Sequence, residues 1–306
     1  MSILFAGTPE NAATTLRELV AAGTPISLVL TRPDTPVGRK AIITPSAVAL
    51  AANELGITCI KTTVVDDQIL KQIATHQIDF AIVVAFGVLL KAPALKALPK
   101  GWFNLHYSLL PKLRGAAPVQ WSIFNGDRET GVTLFKIDEG LDTGAIVGVA
   151  PTQIQPSETA GELLARLTHL GVSVLLENLP KIDADLVVFA KQDDSQATGA
   201  PKLSRVDGRL DFSQPANQVD ARARGANPEP GAWFNSSVGQ VKVLGCRPVV
   251  TQVPSGELQL VDGKVLAGAA VGSVELLEVQ PAGKKSMKAT DWFRGLRDQE
   301  VKVTND

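Results

Sequence analysis

Residues Phe80–Leu90, FAIVVAFGVLL, form the longest strongly apolar run without a charge. Eleven residues are too few to cross a bilayer, but they suit a strand buried on both faces and the loop that leaves it. The N-terminal half repeats this theme. Short apolar strands are expected at Ile3–Phe5, Ile26–Leu30, Ile57–Ile60 and Asp79–Ala85, with helix-period stretches between them at Asn11–Ala22, Pro45–Leu55 and Asp66–His76. Strands so continuously apolar belong inside a parallel sheet covered by helices on both faces. The expected fold is therefore α/β, a doubly wound, mostly parallel, Rossmann-like sheet. Its ligands should bind where the loops gather at the strand C-termini.

The texture changes after a helix at Ala160–Leu170 and the apolar residues that run on to about Leu179. Lys191–Arg205, KQDDSQATGAPKLSR, is polar and rich in breakers, which marks a linker. One helix is expected at Pro215–Arg224. Short β segments follow at Val241–Leu244, Glu257–Val261, Lys264–Leu266 and Val274–Val279, punctuated by Gly and Pro as in a small OB-like β-barrel. The 306 residues thus divide into a domain at 1–189, a linker at 190–205 and a smaller C-terminal β-barrel domain at 206–306.

Composition narrows the function classes. The chain is 45% hydrophobic and 20% charged with a net charge of −1, an ordinary core-forming protein. The N-terminus MSILFAGTPE lacks a basic segment ahead of an apolar one, so no signal peptide is expected and the expected location is cytoplasmic. Cys59 and Cys246, the only cysteines, cannot build a disulfide framework or a thiolate zinc cluster. Charge is uneven: residues 1–200 sum to −3 and residues 201–306 to +2. In Pro281–Arg297 the cations Lys284, Lys285, Lys288, Arg294 and Arg297 face only Asp291, a balance that suits either a solvated surface or an RNA backbone.

Gly7-Thr8-Pro9 follows the first strand where a dinucleotide fold would carry GxGxxG, and no GxxxxGK[ST] is present. The chemistry gathers instead in Gly101–Gly144. Asn104 and His106 stand two apart at the end of a strand, so both side chains face the same way. Asp138, Glu139 and Asp142 follow on a glycine-flanked loop. Amide, imidazole and carboxylate together supply an oxyanion donor, a proton shuttle and its orienter. The other histidines, His76 and His169, fall at a helix end and within a helix, where structural roles are expected. The loop lacks the alternating ligands of an EF-hand, and no HExxH supports zinc, so no metal is expected. Ser108 lacks a GxSxG elbow.

With these residues in place, the chain resembles the methionyl-tRNA formyltransferase family of folate-dependent formyltransferases. The resemblance is carried by Phe5–Pro9, Asn104-x-His106, Ser108-Leu109-Leu110-Pro111, Arg114–Pro118 and Asp138–Gly144. It continues in Asp211-Phe212, Asn227–Trp233 and Gln280-Pro281-x-Gly283-Lys284-Lys285. It implies transfer of a formyl group from 10-formyltetrahydrofolate to the amine of methionyl initiator tRNA, without a metal. Asn104, His106 and Asp142 would be the catalytic trio. Folate would lie against Ser108, Leu109, Leu110 and Pro111, against Phe86, Gly87 and Leu89, and against the loop beginning at Asp138. The loop Thr31–Thr44 would enter the acceptor stem with Arg39 and Lys40, and Lys284, Lys285 and Lys288 would hold the stem from the barrel. No DNA and no membrane are implied, and the chain would act as a monomer. The sequence departs from the family pattern at Tyr107, where a small residue is common, and at Leu113, Ala226 and Glu229, where aromatics are usual. After Lys40 the loop continues with apolar Ala41-Ile42-Ile43 rather than further basic residues.

Overall fold

The computed structural model describes residues 1–38, 40–296 and 300–304. In chain order the elements of the α/β part are β1 (Ile3–Gly7), α1 (Glu10–Ala21), β2 (Ile26–Thr31), β3 (Thr35–Val37), β4 (Ile42–Thr44), α2 (Ala47–Glu54), β5 (Cys59–Lys61), α3 (Asp67–Ala74), β6 (Phe80–Val84), α4 (Ala92–Leu95), β7 (Gly101–His106), α5 (Pro118–Phe124), β8 (Glu129–Lys136), β9 (Ile146–Gln153) and α6 (Ala160–Asp183). After these come α7 (Ala216–Ala226), β10 (Ala232–Ser236), β11 (Gly239–Val249), β12 (Glu257–Val261), β13 (Lys264–Gly268), β14 (Ser273–Pro281), β15 (Met287–Lys288), α8 (Ala289–Arg294) and β16 (Val301–Thr304).

The chain separates into two compact units. The first comprises residues 1–115, 130–152 and 164–199; the second comprises residues 116–129, 153–163 and 200 onward. In the first unit the strands lie in the order β5-β2-β1-β6-β7-β8-β9. The pairs from β5 to β7 are parallel, and β8 runs antiparallel to β7. Every residue of β1 and β6 is buried, which is why no polar alternation shows in their sequences. Phe80 and Phe103 meet edge to face at 5.9 Å across the β6–β7 pair, worth about 0.5–1.5 kcal/mol beyond area burial.

Strand order reverses between β1 and β6, the switch point at which an open α/β sheet leaves a crevice. Gly7, at the end of β1, is required there: a Cβ would sit 2.7 Å from the Ala12 Cβ and 2.9 Å from the Val84 carbonyl oxygen. The loops after β1 and β6 are tied together, since Thr8 Oγ1 donates to the Phe86 carbonyl at 2.8 Å.

In the second unit β11, β10, β16, β12, β13 and β14 close into a six-stranded antiparallel barrel through the β11–β14 pair, with β15 added to β14. Its core holds Phe212 and Phe234, edge to face at 5.4 Å, with Val241, Val265, Leu276 and Trp292. Helix α7 buries Ala216, Val219, Ala223 and Ala226 in the same core. Asp220 and Arg224 form an i,i+4 ion pair at 2.7 Å on α7, both largely buried.

Several expectations shift. The strand expected at Ile57–Ile60 forms at Cys59–Lys61, an edge strand that among the described residues pairs only with β2. The helix expected to end at Leu170 continues to Asp183. It runs through Gly171, where the missing side chain leaves room for Leu105, whose Cδ2 would lie 2.5 Å from an added Cβ. Strands β10 and β16 and the hairpin β3–β4 had no expected counterpart.

Candidate active site

Along β7 the alternation puts Trp102, Asn104 and His106 on one face and Phe103 and Leu105 on the other. Trp102 is fully buried and donates its indole N–H to the Ala94 carbonyl at 2.7 Å. The same face thus changes from an aromatic to two polar groups as the strand reaches its carboxyl end.

His106 is only 5% exposed. Its Nε2 lies 2.9 Å from the Leu113 carbonyl oxygen, so that nitrogen carries a proton. Its Nδ1 faces the Asp142 carboxylate, with 3.7 Å to Oδ2, longer than a hydrogen bond. Phe135 covers the ring edge to face at 6.5 Å. Burial pushes the His106 pKa below its ordinary value, and the opposing Asp142 charge only partly restores it. The ring is therefore neutral near pH 7, with Nδ1 as its basic atom. Asp142 sits at φ +54° on the loop between β8 and β9, and its Oδ2 accepts the Gly115 N–H at 2.8 Å. That loop closes because Gly144 has no side chain: a Cβ there would lie 1.7 Å from the Lys136 carbonyl oxygen. Asn104 is half-buried, and its amide has no hydrogen bond among the described residues.

Ser108–Pro111 form a tight turn after β7. Ser108 is buried and its Oγ donates to the Lys112 carbonyl at 2.6 Å. Leu110 is buried, Leu109 and Pro111 half-buried. The Leu110 N–H is held by Thr133 Oγ1 at 3.2 Å. Beyond β6, Phe86 is a core residue at 1% exposure, whereas Leu89 is 80% exposed. Gly87 turns at φ +73°. Among the described residues the backbone N–H groups of Gly87, Val88, Leu89 and Leu90 have no partner. Asp138 is exposed, and its Oδ1 accepts from the Gly140 N–H at 3.1 Å and the Thr143 hydroxyl at 2.6 Å. Tyr107 turns away from Asn104 and His106, as strand alternation requires. Its buried phenol oxygen accepts from Asn11 Nδ2 on α1 at 3.1 Å.

Arg39 and Arg297 lie outside the described residues. Lys40 is exposed at the turn of the β3–β4 hairpin, beside exposed Val37, Ile42 and Ile43. Lys284 and Lys285 are exposed at the β14–β15 turn, and Lys288 is exposed at the end of β15. Among the described residues none of these three lysines has an ion pair. His76 is half-buried at the end of α3, with Nδ1 3.1 Å from the Gln72 carbonyl oxygen. His169 is exposed and pairs with Glu18 at 2.7 Å. Among the described residues no group of three His, Cys, Asp or Glu side chains could hold a metal ion. No described helix is long and apolar enough to cross a membrane.

Sequence reasoning missed Gln192. It falls in the stretch read as linker, yet it is 5% exposed and its amide spans the Asp142 loop and Arg114. Nothing in a polar, breaker-rich segment distinguishes a buried glutamine from a solvated one.

Comparison with known proteins decides the family. Residues 1–179 match the formyl transferase family and residues 202–297 match the formyl transferase C-terminal domain. A methionyl-tRNA formyltransferase of Paenarthrobacter aurescens (strain TC1) is 48% identical over 303 residues, covering 98% of both chains. The chain belongs to the methionyl-tRNA formyltransferase family. A second member, from Arthrobacter sp. (strain FB24), is 46% identical over 96% of this chain and 97% of its own. The fold also matches an N-formyltransferase from Helicobacter canadensis in complex with folinic acid and dTDP-3-aminofucose. The TM-score is 0.69 at 18% identity, over 90% of this chain and 98% of that one. His106 and Asp142 meet at the end of β7, and Asn104 lies two residues before His106 on the same face of the strand.

Proposed function

We propose that this chain transfers the formyl group of 10-formyltetrahydrofolate to the free amino group of methionyl initiator tRNA, giving N-formylmethionyl-tRNA for translation initiation. The observation that carries the reading is buried His106 facing the half-buried Asp142 carboxylate, with the Asn104 amide, unpartnered among the described residues, on the same face of β7. Curated relatives named methionyl-tRNA formyltransferase at 40–48% identity support the acceptor.

The residues present suit a folate. The unpaired backbone of Gly87–Leu90 lies at the β1–β6 switch point, with exposed Leu89 in it, and offers hydrogen bonds and apolar surface to a flat heterocycle. Ser108–Pro111 and the loop from Asp138 would complete the slot, with Phe86 supporting it from the core. The folate supplies the formyl carbon. Negative charge develops on the formyl oxygen as the amine adds, and the Asn104 amide, free of other partners among the described residues, would donate to it. One such donor is worth about 2.7–4 kcal/mol. Neutral His106 takes the proton that the attacking amine must lose. With Nε2–H fixed on Leu113, the proton arrives at Nδ1, where the Asp142 carboxylate stabilises the imidazolium. The proton is then returned to the folate nitrogen as the carbon–nitrogen bond breaks. Burial disfavours a protonated His106 in the resting protein, so the oxyanion contact falls to Asn104.

Residues 1–189 would carry the chemistry, 190–205 the connection and 206–306 the RNA contacts. Exposed Lys40 on its hairpin and Lys284, Lys285 and Lys288 on theirs would contact phosphates, with Arg39 beside Lys40 in sequence. The protein would act as a cytoplasmic monomer, without metal, DNA or membrane. A formyl-transfer assay with 10-formyltetrahydrofolate and methionyl initiator tRNA, with uncharged tRNA alongside, tests the reading. Formyl-methionine should appear only on the charged tRNA. Folate turnover without labelled tRNA would overturn the acceptor.

A further inference from the structure

The side-chain amide of Gln192 is saturated at both ends. Its Nε2 donates to the Asp142 and the Gly144 carbonyl oxygens, each at 2.8 Å. Its Oε1 accepts from Arg114 Nε at 3.1 Å and from Arg114 Nη2 at 2.8 Å. An end that faces two carbonyl oxygens must be the NH2, and an end that faces a guanidinium must be the oxygen, so the network admits one orientation only. Arg114 Nη2 is anchored further on Asp194 Oδ1 at 2.7 Å.

The two segments joined by this amide are those that frame His106. Leu113 accepts from His106 Nε2, and the Gly115 N–H holds the Asp142 carboxylate. Residues 113 and 114 are themselves pinned by Thr198, whose Oγ1 takes the Leu113 N–H at 2.9 Å and whose carbonyl takes the Arg114 N–H at 2.8 Å. Asp142 adopts φ +54°, a conformation costly for a residue with a side chain unless its surroundings enforce it. Gln192 grips the carbonyl of that same residue.

We propose that Gln192 is a positioning residue for formyl transfer, clamping the Asp142 loop to Arg114 so that the Asp142 carboxylate is held against His106. The inference rests on the role given above to the His106–Asp142 pair. Only a primary amide of this length serves, because the clamp needs two donors on one side and an acceptor on the other. Gln192→Glu keeps the size and the contact with Arg114 but turns a carboxylate oxygen toward two carbonyls.

The test has a kinetic and a spectroscopic arm. Gln192→Ala and Gln192→Glu should each lower kcat by about 10- to 100-fold, the scale of a small misplacement, with both KM values within about twofold of the parent. In an Asp142→Asn background the Gln192→Ala change should cost less than about twofold, because it acts through the carboxylate already removed. With only three histidines in the chain, the His106 ring can be followed by NMR, with His76 and His169 as internal references. Asp142 is the charged group that raises the His106 pKa, so Gln192→Ala should move that titration to lower pH. An unchanged kcat, a full multiplicative loss in the Asp142→Asn background, or an unmoved His106 titration in a folded variant would overturn the proposal. Because the titration needs no turnover, it decides the positioning question even if the parent protein fails to formylate methionyl-tRNA.

Discussion

The end of β7 and the β14–β15 turn carry polar residues in opposite ways. At β7, His106 is 5% exposed, its two ring nitrogens face a carbonyl and a carboxylate, and the supporting amide of Gln192 has no spare hydrogen bond. At the β14–β15 turn, Lys284 and Lys285 are exposed and free of ion pairs among the described residues. The first arrangement is specified by desolvation and directional bonds, so small displacements matter and the effects should fall on kcat. The second is a screened charge in water, so its effects should be modest, additive and dependent on salt.

The largest expected effect sharpens the first half of that contrast. His106→Ala or Asn104→Ala should lower kcat by about 10²- to 10³-fold in a steady-state formylation assay, with the tRNA affinity measured by filter binding unchanged. The pH profile comes next. Because burial lowers the His106 pKa, the neutral ring persists below pH 6.5, and activity should fall only as pH drops through that lowered value. Asp142→Asn removes the charge that opposes the shift and should move the acid limb to still lower pH. Stability follows the same sign: the contribution of the buried neutral ring is present above its unfolded pKa near 6.5 and is lost as pH falls through the lower folded value. His106→Ala should flatten that part of a denaturation profile.

Smaller effects test the other half. Each of Lys284→Ala, Lys285→Ala and Lys288→Ala should raise the tRNA KM by a fewfold and reduce the salt slope of binding by about 1, leaving kcat at saturation unaltered. The smallest concerns Tyr107. Tyr107→Phe removes the hydroxyl that accepts from Asn11, and should cost about 1 kcal/mol in a urea melt with kcat retained.

Much of the first unit was legible because two-sided burial forces continuous apolar strands: Phe80–Val84 emerges directly from the FAIVV string. The edge strand Cys59–Lys61 starts two residues later and ends one later than expected, since among the described residues only β2 pairs with it. The helix expected at Ala160–Leu170 runs on through Gly171 to Asp183, and the space that Leu105 takes beside Gly171 leaves no mark in the sequence. In the barrel, Ala232–Ser236 follows the proline-rich Asn227–Gly231 and alternates too briefly to stand out, though its register with β11 is unbroken. Asn104, His106 and Asp142 were visible as residue types in a pattern. The tautomer of His106 and the clamp by Gln192 depend on the Leu113 carbonyl and on backbone oxygens, which leave no mark on residue identity.

The most direct test of the division between buried chemistry and exposed grip is single-turnover formyl transfer at saturating methionyl initiator tRNA. It would compare Asp142→Asn with the combined Lys284→Ala, Lys285→Ala variant. Asp142→Asn should slow the step by about 100-fold or more, whereas the lysine variant should reach the parent rate once saturated. Parent-like turnover by Asp142→Asn, or a slow step in the lysine variant that saturation does not restore, would contradict it.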